Sequence, residues 1–99
     1  MKLFLVSQDI NNHYDTYDSM VVCAEDESSA RTMNPSWLKY YIRDDKWWFT
    51  NSYWEECEVS YLVDDWVSPS DIDKLTVTYI GEADKSVESW VVLGSFNAW

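Results

Sequence analysis

Apolar and polar positions fall into short runs along this chain, separated by clusters of turn-forming residues. Lys2 to Gln8 is apolar on both faces, through Leu3, Phe4, Leu5 and Val6, and predicts a strand. Tyr17 to Ala24 predicts a second, with its Met20–Val21–Val22 centre placed for burial. Between them Asp9 to Thr16 is dense in aspartate and asparagine, which predicts a β-hairpin. In the run from Glu25 to Pro35, carboxylates gather at the start and Arg31 lies near the end, matching the helix dipole; Pro35 stops that helix. Asn34 and Pro35 can then cap and open a second helix over Pro35 to Ile42, with Trp37, Leu38, Tyr41 and Ile42 on one side. Further on, Asn51-Ser52 reads as a turn between two strands, with Cys57, Val59, Tyr61 and Val63 alternating against Glu56, Glu58 and Ser60. Ser68 to Asp71 reads as a capped helical turn with Pro69 at its first position. Leu75 to Ile80 is a strand rich in β-branched residues, and Trp90 to Phe96 is a last strand, apolar enough to be central. The expected fold is α+β: an antiparallel sheet of four to five strands with one or two short helices packed on one face, in a single domain over residues 1–99.

Composition agrees with a folded domain, since 46% of the residues are hydrophobic and there are only two glycines and two prolines. The N-terminal apolar run is four residues long, too short for a signal-peptide core, and no other run is long enough to span a membrane. A cytoplasmic protein is therefore expected. Cys23 and Cys57 lie far apart in apolar, strand-like runs and read as two small buried hydrophobes, not as a disulfide or half of a metal site.

Charge alters the picture most. Eighteen carboxylates against seven basic residues give a formal charge of −11, and they are spread along the whole chain. Binding to nucleic acid rests on cations that displace counterions from phosphates, so no direct nucleic-acid contact is expected, and anionic membranes are disfavoured for the same reason. A partner with a basic surface would instead be attracted and steered. Acidity that serves only solubility remains the competing explanation.

Catalytic and metal chemistry find little support. A calcium loop starting at Asp9 would need an oxygen ligand, a glycine and a glutamate where the chain has His13, Tyr14 and Met20. His13, the only histidine, has no nucleophile setting, and there is no glycine-rich phosphate loop. No enzyme activity, no metal and no cofactor are expected.

Seven tryptophans and seven tyrosines are more than a domain of this length needs for its core. Trp47 and Trp48 are adjacent, so in a regular strand only one of them can point inward. The other, beside carboxylates, would be the kind of anchor that protein interfaces use.

The stretches YDTYDSMVVCAEDESSAR and VTYIGEADKSVESWVVLGSFNAW resemble short proteins of phages and prophages that share a YDTYDS, IGEA and SFNA pattern. The matching stretches cover about the first third and the last quarter of the chain and leave out the tryptophan-rich middle. The resemblance implies a phage accessory protein acting in the host cell. By analogy of class it suggests an acidic anti-defence inhibitor, anti-CRISPR or anti-restriction, that mimics DNA on a basic, nucleic-acid-binding surface of a host protein. The candidate partner-binding residues are Asp9, Asp15, Asp18, Glu25, Asp44, Asp45, Trp47, Trp48, Glu55, Glu56 and Glu58. Two alternatives stay open: a small-molecule or nucleotide sponge with an aromatic-lined pocket, and a structural or regulatory phage protein. The sequence leaves the oligomeric state open.

Overall fold

The structure, a computed structural model, describes residues 1–10, 16–36, 39–59 and 66–97. Its class is α+β, built from antiparallel sheets and two short helical segments. The larger sheet has four strands: β1 (Lys2–Ser7), β2 (Thr16–Ala24), β6 (Thr76–Glu82) and β7 (Val91–Asn97), in the order β6-β1-β2-β7. The smaller has three: β3 (Tyr41–Arg43), β4 (Lys46–Thr50) and β5 (Glu56–Glu58), in chain order. Helix α1 (Glu27–Arg31) follows β2, and a 3-10 turn covers Pro69–Lys74.

The alternation of side chains assigns the faces of the larger sheet. Phe4 and Val6 stand opposite Val22 and Met20, and all four are buried on the side where α1 packs. Ala30 and Met33 meet them from above, and Tyr40, Trp47, Trp66, Val67 and Leu75 complete the cluster, so both sheets share one hydrophobic core. Burying one such large side chain is worth about 1.5–3 kcal/mol. Gly94 on β7 is needed where it stands, because a Cβ there would come within 2.8 Å of the Tyr17 ring. That ring packs edge-on against Phe96 at 4.8 Å.

Local chemistry sets the ends of α1. The Asp26 carboxylate caps it by accepting from the Ser29 backbone N–H at 2.8 Å. Arg31 closes the last turn and reaches out of it, donating to the carbonyls of Leu75 (2.7 Å) and Ile72 (3.1 Å) and pairing with Glu27 (2.7 Å). One guanidinium thereby ties the helix to the end of the 3-10 turn.

Two expectations need correction. The second helix, over Pro35 to Ile42, is absent among the described residues: Pro35, Ser36, Lys39 and Tyr40 are irregular, and Tyr41–Arg43 is strand. The fully buried Asn34 accepts from the Ser36 N–H at 2.9 Å, the bond a helix cap would make, but Lys39 and Tyr40 do not continue it as a helix. Tyr41 and Ile42 are then taken up by pairing with Trp48 and Trp47. The last strand, β7, is at an edge of its sheet and not central, with Leu93 67% exposed. His13, Asp15, Trp37, Leu38, Tyr61 and Val63 lie outside the described residues. Both cysteines are free, Cys23 buried and Cys57 half-buried. Among the described residues no helix is long and apolar enough to cross a membrane.

Candidate functional site

The three-stranded sheet carries most of the candidate residues. Ile42, Trp47, Phe49 and Cys57 lie on its inner side, paired as Ile42 with Trp47 and Phe49 with Cys57. Trp47 is only 4% exposed, and its indole N–H donates to the Val67 carbonyl at 2.9 Å. Of the adjacent tryptophans it is the core member and not a surface anchor. Trp48 points the other way, half-buried, with its indole N–H donating to the Arg43 carbonyl at 2.9 Å.

The outer side of this sheet neutralises itself. The Arg43 guanidinium lies 4.2 Å from the centre of the Trp48 ring and continues to the Glu56 carboxylate. Glu56 also accepts from the Tyr41 hydroxyl at 2.8 Å, and Lys46 pairs with Glu58 at 3.1 Å. These bonds from Arg43 and then Tyr41 hold the Glu56 carboxyl below the usual carboxylate range. Glu56 and Glu58 are thus engaged by neighbouring cations across the strands, so neither offers a free charge to a partner.

Unpaired charge appears at the two ends of the sheet. Asp44 and Asp45 form the two-residue turn between β3 and β4, both exposed and both in the left-handed backbone region, φ 53° and 59°. A two-residue hairpin turn of that hand favours Asn-Gly, and aspartate is a tolerated substitute. At the other end Asn51 organises the link to β5. Its side-chain oxygen accepts from the N–H groups of Tyr53 (2.9 Å) and Glu55 (3.0 Å), and its carbonyl accepts from Trp54 N–H (3.1 Å). The result is a tip on which Tyr53 is 80% and Trp54 89% exposed. Trp54 is itself left-handed, at φ 61°. A bulky aromatic there costs about 1 kcal/mol relative to an ordinary conformation.

Asp44, Asp45 and Trp54 are the non-glycine residues with positive φ among the described residues, and all three sit at the tips of this one sheet. Glu55 joins Trp54, exposed and bridged only weakly to the Asn51 amide at 3.3 Å. The ends of β4, Lys46 and Thr50, are four positions apart, roughly 13 Å at strand spacing.

The other candidates are scattered. Asp9 and Asp18 are exposed near one end of the β1–β2 hairpin, where the Gln8 N–H donates to the Asp18 carbonyl at 3.1 Å. Glu25 is exposed beyond the opposite end of β2, so it forms no cluster with Asp18. Asp15 lies outside the described residues. Among the described residues no three His, Cys, Asp or Glu side chains converge as a metal site.

A cleft of about 420 Å³ lies between α1, β3 and the approach to β7, lined by Ser29, Thr32, Met33, Tyr40, Ile42 and Trp90 among others. The Lys39 ammonium stands 5.4 Å from the Trp90 ring centre. Sequence reasoning placed the Asn51-Ser52 turn but missed Tyr53 and Trp54. Their position just after a turn was the available signal, because a side chain at a hairpin tip has no facing strand to cover it.

Comparison with protein-family models, with curated proteins and with solved structures finds no match to this chain.

Proposed function

We propose that this chain is a non-enzymatic binding protein that occupies a basic, nucleic-acid-binding surface of a host protein. The tips of the three-stranded sheet make the contact. Asp44, Asp45 and Glu55 present carboxylates in place of phosphates, and Trp54 with Tyr53 supplies the apolar anchor. The observation that carries this reading is the concentration of left-handed backbone at Asp44, Asp45 and Trp54. At each position a glycine or asparagine would sit more comfortably, yet the chain keeps a carboxylate or a large aromatic, fully presented to solvent. Stability is given up for surface chemistry. A net charge of −11 extends the attraction beyond the contact itself. With the resemblance to phage accessory proteins, the target class is a host defence complex that handles DNA or RNA, and the chain acts as its inhibitor.

The test is competition. Purified target and labelled duplex DNA are mixed with the native chain or with Asp44→Asn/Asp45→Asn/Trp54→Ala. The native chain should displace DNA, and the triple variant should do so at least about tenfold less well, in line with losing an anchor residue. Equal displacement by both would refute the assignment of the tips.

The cleft beside Trp90 supports a second reading, a small aromatic ligand or nucleotide held between Tyr40 and Trp90. Calorimetry with a panel of nucleotides tests it: heat that Trp90→Ala abolishes and Trp54→Ala leaves intact would favour the sponge.

A further inference from the structure

The chain contains one finished example of how its own residues hold a guanidinium. Arg43 lies over the Trp48 ring, 4.2 Å from its centre, and extends to the Glu56 carboxylate, which also accepts from the Tyr41 hydroxyl. The ring takes the flat cation and the carboxylate takes its N–H groups, so two partners satisfy it at once. At the Asn51 tip the same two kinds of group stand next to each other without a cation. Trp54 and Glu55 are both exposed there, with Tyr53 beside them. Among the described residues no basic side chain pairs with Glu55. Arg31, Arg43, Lys46 and Lys74 pair with other carboxylates, and Lys39 lies by the Trp90 ring.

The backbone beneath these groups is tied down by one residue. The Asn51 side-chain oxygen accepts from the N–H groups of Tyr53 and Glu55, and the Asn51 N–H donates to the Glu55 carbonyl at 2.9 Å. The Asn51 amide also donates to the Glu55 carboxylate at 3.3 Å. A tip held in this way has little backbone left to order when a partner arrives. We infer, on the reading that the tips make the contact, that Trp54 and Glu55 take an arginine side chain of the partner.

Chemistry decides against three other occupants. An apolar pocket that suited Trp54 would have to desolvate Glu55 beside it with no counter-charge. A nucleobase would stack on the ring but bring its phosphate to a chain of charge −11. A second copy has no arginine to offer, because Arg31 is bound to Glu27 and two carbonyls, and Arg43 to Glu56. A foreign cation remains, and the ring selects which. A guanidinium is planar and weakly hydrated, so it rests on an indole while its N–H edge reaches a carboxylate. An ammonium is compact and strongly hydrated, and gains less from the ring. Asp44 and Asp45 are flanked by Arg43 and Lys46 and not by a ring, so they should attract either cation alike.

Two short peptides test this, one alternating glycine with arginine and the other glycine with lysine, matched in length and charge. Calorimetry with the full chain at fixed salt measures both affinities. The arginine peptide should bind at least about threefold tighter than the lysine peptide. That ratio should fall to about one in Trp54→Ala and in Glu55→Gln, and Trp54→Phe should keep part of it. Both positions are exposed, so melting temperatures should stay close to native. Asp44→Asn/Asp45→Asn should weaken both peptides and leave the ratio unchanged. Equal binding of the two peptides would overturn the inference, as would no binding of either or a preference that survives Trp54→Ala and Glu55→Gln. The wider reading fails separately. If the peptides bind alike while the native chain still displaces DNA from its target, only the arginine assignment falls. If the preference holds but DNA is not displaced, the guanidinium site stands and the inhibitor reading falls.

Discussion

Trp47 and Trp48 differ by one position and have opposite fates, because strand alternation sends one into the core and the other over Arg43. Trp47→Ala should therefore destabilise the domain by about 3–5 kcal/mol, the usual cost of removing a buried aromatic. Thermal or urea unfolding reads this out, and a native-like stability would remove Trp47 from the core. The tip residues make the opposite case. Trp54→Gly releases a left-handed aromatic and removes no packing, so it should melt no lower than native while losing target affinity. Asp44→Asn/Asp45→Gly installs the preferred residues for that turn and should add up to about 1 kcal/mol of stability while weakening target binding. If these two variants were destabilised, the strain argument for the site would fail.

The same scale holds a pH prediction. The Asp26 carboxyl is lowered by the N–H and then the hydroxyl of Ser29, Glu56 by Arg43 and then Tyr41, and Asp84 by the Ser86 hydroxyl and then its N–H. A carboxyl lowered in the folded state gives stability that is fully present above its ordinary value. That stability is lost as pH falls through the folded value. Contributions from all three should thus persist at neutral pH and disappear below about pH 4. Carboxyl titrations by NMR should place these three below the free-carboxylate range; ordinary values for all of them would contradict the hydrogen bonds described.

Among the elements, α1 depends on contacts beyond itself. Five residues are too few to hold a helix alone, and Arg31 supplies a link to the Ile72 and Leu75 carbonyls. Arg31→Met keeps the apolar stem and removes the donors, and should cost about 2 kcal/mol in an unfolding measurement. The start of α1 was legible in sequence through its acidic residues, as was the turn opening at Pro69, but the helix ends at Arg31, short of the expected stop at Pro35. The pairing of β1 with β2 was legible because two apolar runs flank a stretch dense in turn-forming residues. The helix expected at Pro35 is absent among the described residues because its signals were local, a cap and a proline. The competing demand was tertiary: Tyr41 and Ile42 pair with residues several positions further on. The pairing of Glu56 with Arg43 and of Glu58 with Lys46 was equally hidden, since composition counts charges without saying which meet. β7 looked central because apolarity alone does not say whether a strand has neighbours on both sides, and β7 pairs with β2 at the end of its sheet.

At the scale of the whole molecule, the formal charge of −11 dominates. Asp44, Asp45 and Glu55 stand exposed at the tips of the smaller sheet, while Glu56 and Glu58 on its strand are paired with Arg43 and Lys46. Target binding through this charge should weaken as salt rises. The most direct test of the central claim immobilises the native chain and challenges it with host lysate, with and without excess duplex DNA. Asp44→Asn/Asp45→Asn/Trp54→Ala serves as the control surface. The account predicts that the native chain retains nucleic-acid-binding proteins that DNA displaces, and that the variant fails to retain them. Proteins retained equally by both surfaces, or indifferent to DNA, would contradict it.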